Sequence, residues 1–315
     1  MNNKVIFHSG MPKTGTSIGQ FFLNQMAESG LINYYPSLKK GIAHHHIVDT
    51  LLRGGHQQLA EEIYVNLDEN KANILSTESL SNLIGGNNKI LSRFTLQLRD
   101  KGILPIYSIY LRELSSFLDS MFCQQSRFGR VNVSPYSYYL TRKEWTRSFF
   151  KGLRNLKINF DDNIILTPYN KRTDIVTSLA NEVDVGDHDY RKYLQGAPNT
   201  RKFSLKLQVL FFYYDWFAEV LDFNTSRTEA INKIFYSREE GFGFNDDLEN
   251  FTFFNKKLLQ IIRQDGIDLA AENGIDEYKE CFLEEDIRPV HFVELSPEIL
   301  TKHDLVHVRD YLNAK

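Results

Sequence analysis

The sequence predicts an α/β fold, with a parallel β-sheet flanked by helices and a helical C-terminal portion. Two observations predict it. Short apolar runs alternate with segments of helical period three times within residues 1–130, and a glycine-containing turn joins the first run to the first helix. Ligands of such sheets bind at the carboxyl ends of the strands, so polar residues at those ends are the candidates for a site.

The first strand is predicted over residues 4–9, because Val5, Ile6 and Phe7 form a short apolar run. The first helix is predicted over 15–28, where apolar residues recur at helical spacing. A tyrosine-bearing turn is expected at 33–37. Further strands are predicted at 73–76, 104–111 and 163–167, and further helices at 56–68, 88–100, 115–127 and 171–182.

The chain has 315 residues and a net charge of −3. This length predicts one elaborated domain over 1–315, with 203–315 as a mainly helical extension. The lack of a basic excess argues against a nucleic-acid partner. The two cysteines, Cys123 and Cys281, lie far apart without metal-ligand spacing, which favours a reducing compartment.

Two features of the sequence concern its location. No uninterrupted apolar run approaches the roughly 20 residues that a membrane span needs, so no transmembrane segment is expected. Met1 is followed almost at once by the first predicted strand, without a signal-peptide pattern. We therefore expect a cytoplasmic protein.

Residues 10–17, Gly-Met-Pro-Lys-Thr-Gly-Thr-Ser, connect the first strand to the first helix. Such a loop directs backbone N–H groups and the positive end of a helix at one point, where a phosphate binds well. The nucleoside-triphosphatase loop G-x-x-x-x-G-K-[ST] has its lysine just before the hydroxyl residue. Here Gly15 is followed directly by Thr16, and Lys13 lies inside the loop.

This loop resembles the one by which PAPS-dependent sulfotransferases hold the 5′-phosphosulfate of PAPS (3′-phosphoadenosine 5′-phosphosulfate). The resemblance covers residues 4 to about 210 and is closest to bacterial sulfotransferases, which have a P-loop nucleotide-binding fold. The alternative is an ordinary strand-to-helix turn with a solvated lysine. The resemblance implies that the cofactor-binding residues of the loop are Lys13, Thr14, Gly15, Thr16 and Ser17.

A second phrase resembles the family's 3′-phosphate signature. Arg112 ends a predicted strand and Ser120 follows eight residues later. Arginine gives a bidentate, permanently charged contact to phosphate, and serine adds a hydroxyl donor. Tyr169 is placed like the family's aromatic residue near the adenine, although a rim or core tyrosine is an equal alternative. Residues 201–202, Arg-Lys, lack the glycine of the animal cytosolic enzymes, so a phosphate role there is doubtful.

The resemblance implies transfer of the sulfuryl group of PAPS to a hydroxyl of a carbohydrate, glycolipid or small-molecule alcohol, with release of PAP and no metal requirement. Lys13 suits stabilisation of the charge on the leaving oxygen. The general base is either Glu78, at a strand end, or His45 within the run 44–46, His-His-His. A P-loop nucleotide-dependent kinase and a non-catalytic nucleotide-binding relative remain as alternatives. The absence of a lysine between Gly15 and Thr16 argues against the kinase.

Overall fold

The computed structural model describes residues 3–11, 15–160, 163–170, 174–184, 190–195, 204–221, 225–236, 244, 251–283 and 291–313. The chain divides into two compact units. The first comprises residues 1–117, 142–199 and 263–285, and the second comprises 118–141, 200–262 and 286–315. Lys13, Thr14 and the pair 201–202 lie outside the described residues.

The first unit is built on a five-stranded sheet of order β2-β3-β1-β4-β5, in which every neighbouring pair is parallel. This confirms the predicted fold class. The strands are β1 (Lys4–Gly10), β2 (Ile32–Asn33), β3 (Ala72–Ser76), β4 (Leu104–Arg112) and β5 (Ile164–Tyr169).

Helices surround the sheet and form most of the second unit. In chain order the α-helices are α1 (Thr16–Glu28), α2 (His46–Leu52), α3 (His56–Val65), α4 (Leu80–Gly86), α5 (Asn88–Asp100), α6 (Leu114–Arg127), α7 (Pro135–Phe160), α8 (Ile175–Glu182), α9 (Leu205–Phe212), α10 (Tyr214–Leu221), α11 (Arg227–Ile231), α12 (Lys256–Glu272), α13 (Asp276–Leu283) and α14 (Lys302–Asn313). Shorter turns are 3₁₀-helical at Pro36–Leu38, Tyr190–Leu194 and Pro297–Ile299 and π-helical at Asn232–Tyr236.

Successive residues of β1 point to opposite faces of the sheet. Ile6 belongs to a buried cluster that α1 and α8 cover. Phe7 faces the other way, where its ring stacks on Tyr107 at 5.4 Å between centroids and meets Phe94 of α5 at 5.8 Å. The central strand β1 is therefore buried on both faces, as is usual in a parallel sheet.

β2 and α4 are among the elements that were not predicted, as are the two short strands within 203–315. β2 has only two residues, too few to show a strand period, and it falls at the edge of the turn expected at 33–37. α4 has seven residues and ends in Gly85 and Gly86, which have low helix propensity. The helix predicted at 171–182 is described from Ile175, where the Asp174 carboxylate caps it by accepting from the Val176 N–H at 3.0 Å.

Gly152 lets α7 approach α4 closely. A Cβ at this position would lie 1.9 Å from the carbonyl oxygen of Ile84, a backbone atom that cannot move away alone. We expect Gly152→Ala to destabilise the protein by roughly 2 kcal/mol, because overpacking costs about 3 kcal/mol and helix propensity returns about 1. Gly86→Ala is the matched control, since nothing lies within 4 Å of its Cβ position. Urea unfolding checks this, and equal stability of the two variants would contradict it.

The second unit has an aromatic core around Phe122. Its ring contacts Tyr138, Phe253 and Phe254 at centroid distances of 5.4, 6.1 and 5.6 Å. A two-stranded parallel sheet of β6 (Phe251–Thr252) and β7 (His291–Phe292) lies in the same unit. Among the described helices of the chain, none combines the length and the apolar character needed to cross a membrane.

Candidate active site

The connections that follow β1 and β3 leave towards opposite sides of the sheet. β1 leads through α1 to β2, on one side, whereas β3 leads through α4 and α5 to β4, on the other side of β1. Adjacent strands whose connections leave in opposite directions open a crevice at their carboxyl ends, and ligands of α/β sheets bind there. The end of β1 is one wall of this crevice.

At the amino end of α1, no side chain of the described residues accepts a hydrogen bond from the first backbone N–H groups. Its N-cap is Gly15, which has no side chain to accept a hydrogen bond, and the first turn contains no acidic residue. Gly15 has a φ of 73°, a left-handed conformation that glycine adopts without strain. Ser17 is exposed beside it, whereas Thr16 is buried. The backbone N–H groups and the helix dipole make this end of α1 suitable for an anion.

Met11 ties the start of the loop to the end of β4. Its backbone N–H donates to the Tyr110 carbonyl at 2.9 Å, and its sulfur accepts the Arg112 N–H at 3.4 Å. Arg112 is half-buried and pairs in register with Tyr169 of β5. The predicted cationic residue therefore stands at the same edge of the sheet as the loop.

Tyr169 reaches the loop from β5. Its hydroxyl lies 3.2 Å from the position that a Cβ of Gly15 would occupy, and its ring also packs against the buried cluster under α1. Any side chain at position 15 would press on this tyrosine as well as strain the backbone. The structure thus brings Gly15, Arg112 and Tyr169 together, while contact of Tyr169 with adenine stays a prediction.

Glu78 follows the end of β3. The N–H of Thr77 donates to the carbonyl of His8 at 3.0 Å, which extends the pairing of β3 with β1 past the last strand residue. Glu78 is half-buried, and its carbonyl accepts the Ser81 hydroxyl at 2.8 Å, which fixes the turn into α4. The backbone of Glu78 is thus fixed next to the end of β1, and its role as a general base stays a prediction.

The three consecutive histidines occupy different environments. His44 is fully buried: its Nδ1 accepts the Ser76 N–H at 3.1 Å and its Nε2 lies 3.1 Å from the Tyr34 carbonyl. Burial lowers the pKa of His44 to about 4. Because both ring nitrogens are engaged by the backbone, His44 supports the structure and is not available as a base.

His45 and His46 differ from it. His45 is exposed at the start of α2, and its Nδ1 lies 3.3 Å from the Thr77 hydroxyl. This contact places the imidazole next to the turn that carries Glu78. His46 is half-buried, with a buried Nδ1 that makes no hydrogen bond. Of the three, His45 is therefore the one positioned as an alternative base.

His8 lies on β1, on the face that α1 covers. It is fully buried, with Nδ1 2.7 Å from the Ser76 hydroxyl, while Nε2 makes no hydrogen bond. Burial lowers the pKa of His8 to about 3. Nearby, Tyr110 links β4 to α8 through contacts of 2.8 Å to Ser178 and 3.0 Å to Glu182, and burial raises the pKa of Glu182.

This burial predicts a pH-dependent stability. The unfolded chain protonates His8 near pH 6.5, whereas the folded chain does so only near pH 3, so stability falls as the pH drops below about 6.5. The loss from His8 is roughly 2 kcal/mol at pH 5, at 1.36 kcal/mol per pKa unit. Glu182 contributes to the pH dependence of stability with the opposite sign, because its raised pKa favours the folded state at low pH.

His8→Asn tests this, since its amide can keep the contact with Ser76 and carries no titratable ring. We expect the variant to be less stable than the wild type at pH 7.5 and closer to it, by about 2 kcal/mol, at pH 5. Urea unfolding at both pH values measures the difference. His303→Asn, at an exposed position on α14, is the control. A His8→Asn difference independent of pH would contradict the prediction.

The amino end of α6 contrasts with that of α1. The Glu113 carboxylate accepts the N–H groups of Ser115 and Ser116, both at 2.8 Å, and the Ser115 hydroxyl at 2.7 Å. The Glu113 carboxylate therefore caps this helix, and the N–H groups that it binds are not available to an external anion. Ser120 lies further along α6 and is half-buried, in the second unit. Its contact with a 3′-phosphate stays a prediction.

Sequence reasoning did not assign roles to Met11 and Thr77. Both position other residues through local contacts, Met11 beside Arg112 and Thr77 between His8 and His45. The sequence Ser-Thr-Glu at 76–78 could have indicated the role of Thr77, because a residue that follows a strand end lies at the same edge of the sheet as the site. A methionine sulfur as acceptor gave no signal. The roles of Lys13 and Thr14 stay predictions.

Comparison with known proteins adds little. No family model and no curated protein matches the chain. Among solved structures, a sulfotransferase domain from the curacin biosynthetic pathway is similar, with 12% sequence identity and a TM-score of 0.37 over 62% of this chain and 78% of that domain. A similarity at this level establishes no activity for the chain.

Proposed function

We propose that the chain is a sulfotransferase that uses PAPS and transfers the sulfuryl group to a hydroxyl of a carbohydrate, glycolipid or small-molecule alcohol. The observation that carries the proposal is the amino end of α1, which no described side chain caps, at the carboxyl end of β1. Glu78 and Arg112 lie at the ends of the two strands that flank β1. The motif at residues 10–17 adds the chemical detail.

The donor set of this edge fits a nucleotide with two separate phosphate groups. The N–H groups at the start of α1 and the exposed Ser17 hydroxyl suit the 5′ side, together with Lys13, Thr14, Gly15 and Thr16. Arg112 suits the 3′-phosphate, with Ser120 as a second donor, and Tyr169 suits the adenine. When bound, PAPS supplies an activated sulfuryl group.

The residues of the chain divide the remaining work. Lys13 and the N–H groups of α1 stabilise the negative charge that develops on the oxygen leaving sulfur. Glu78 accepts the proton that the acceptor hydroxyl loses as it attacks sulfur, or His45 does so. The sulfuryl group passes directly to the acceptor, without a covalent intermediate on the enzyme. The carboxylate of Glu78 and the cation of Lys13 thus act on opposite sides of the transferred group.

A thermal-shift titration with PAP (adenosine 3′,5′-bisphosphate), compared with ATP and Mg²⁺, tests the cofactor. Ligand at about 100 times Kd stabilises a protein by roughly 2.7 kcal/mol, so binding of PAP should raise Tm clearly. We expect Arg112→Ala to weaken PAP binding about 10- to 100-fold, the scale of a charge-assisted hydrogen bond. Arg53→Ala, at an exposed position after α2, is the control and should bind PAP normally.

The outcomes separate the alternatives. Stabilisation by ATP and Mg²⁺, with no response to PAP, would replace the proposal with a kinase. Binding of PAP without transfer of labelled sulfate to any of the three acceptor classes would make the chain a non-catalytic nucleotide-binding protein. Equal loss of PAP binding in both arginine variants would remove the assigned role of Arg112.

A further inference from the structure

A groove of about 380 Å³ lies on the first unit between α5 and α7, outside the residues assigned above. It is framed by two helices rather than by strand ends. α5 contributes Lys89, Ser92, Arg93 and Leu96, and α7 contributes Asn155 and Asn159.

The groove carries a positive charge that no ion pair with a described residue neutralises. Lys89 and Arg93 are exposed and lie four residues apart, on one face of α5. Neither forms an ion pair with any residue in the described part of the chain. Like charges at this spacing weaken a helix slightly, so a bound anion would stabilise both.

The two helices hold the groove in shape. Asn88, at the start of α5, donates from its amide to the Gly152 carbonyl of α7 at 2.8 Å. On α7, the Asn159 amide donates to the Asn155 carbonyl oxygen of its own helix at 2.8 Å, which orients it. The side-chain amide of Asn155 makes no hydrogen bond with the described residues. It can both donate to and accept from a ligand.

The uncharged residues of the groove suit a hydroxyl-rich ligand. Amide and hydroxyl groups, here from Asn155, Asn159 and Ser92, pair with O–H groups, which are both donors and acceptors. Leu96 is 55% exposed and offers an apolar surface to the C–H face of a sugar ring. A simple inorganic anion would use the two cations and leave these groups without a function.

We propose that this groove binds an acidic saccharide unit, with its carboxylate or sulfate ester on Lys89 and Arg93 and its hydroxyls on the amides. The proposal rests on the proposed function, because such a unit would belong to an acceptor chain longer than the single sugar that is modified. The groove would then select charged acceptors at a distance from the reacting hydroxyl.

Fluorescence anisotropy with a labelled tetrasaccharide of alternating glucuronic acid and N-acetylglucosamine tests the groove on the full chain. We expect the double variant Lys89→Ala/Arg93→Ala to bind it about 10- to 100-fold more weakly, and a carboxyl-reduced probe to show a similar loss on the wild type. Lys256→Ala/Lys257→Ala removes the same charge from exposed positions on α12 and should bind normally. Asn155→Ala should weaken binding of both the charged and the reduced probe.

Several results would overturn the proposal: equal binding by the two double variants, no binding by the wild type, displacement by inorganic sulfate at the same charge concentration, or tighter binding of a single-stranded DNA of equal length. PAP titration of the same samples keeps the two proposals apart. Saccharide binding without PAP binding would support the proposal for the groove and contradict the proposed cofactor. PAP binding without saccharide binding would support the cofactor and contradict the proposal for the groove.

Discussion

Replacing Lys13 with alanine is expected to lower kcat by about 10²- to 10³-fold at saturating PAPS, with a smaller effect on the affinity for PAP. The physical reason is that the lysine cation opposes a charge that is complete only in the transition state, when the bond from sulfur to the leaving oxygen breaks. Removing one preorganised donor of this kind costs roughly 3–4 kcal/mol in activation free energy. Steady-state transfer of labelled sulfate measures it.

The control for Lys13→Ala is Lys4→Ala, an exposed lysine at the opposite end of β1. It removes the same charge at a distance from the proposed site and should leave kcat unchanged. A turnover of Lys13→Ala within a few-fold of wild type would contradict the role assigned to this lysine. A large loss of PAP binding with unchanged kcat would instead make Lys13 a residue that holds the ground state.

Most of the sheet could be predicted from local patterns, and so could the edge at which the site lies. The apolar runs at β1, β3 and β4 are separated by helix-period segments, and this alternation alone requires parallel strands. Because carboxyl ends of parallel strands share one edge, the sequence predicts that Glu78 and Arg112 lie at the edge where β1 ends. Elements as short as β2 have no period to detect.

The environment of each histidine could not be predicted in the same way. The run 44–46 gives three identical side chains, and only tertiary contacts decide that His44 faces the Tyr34 carbonyl whereas His45 faces solvent and Thr77. Long-range packing has the same character. The Tyr278 hydroxyl accepts the Leu114 N–H at 2.8 Å across 164 residues, a contact that no local period encodes.

Replacing Glu78 with glutamine is expected to lower kcat by about 10²- to 10⁴-fold, the range for loss of a general base, while PAP binding stays near wild type. Glu78 is preferred to His45 because the hydrogen bond between Thr77 and His8 fixes its turn at the end of β1, whereas His45 is exposed. His45→Asn is therefore expected to lower kcat by less than about tenfold. Transfer of labelled sulfate at saturating PAPS measures both.

The pH profile decides whether Glu78 acts as a base or merely orients a neighbour. A general base must lose its proton before reaction, so its ionisation gives the acid limb of kcat/KM, and that limb should disappear in Glu78→Gln. Glu69→Gln, at an exposed position before β3, controls for the loss of one negative charge. If His45→Asn loses the limb and Glu78→Gln keeps it, the imidazole is the base and the carboxylate supports it. Retention of the limb in both variants would place the proton acceptor on another residue.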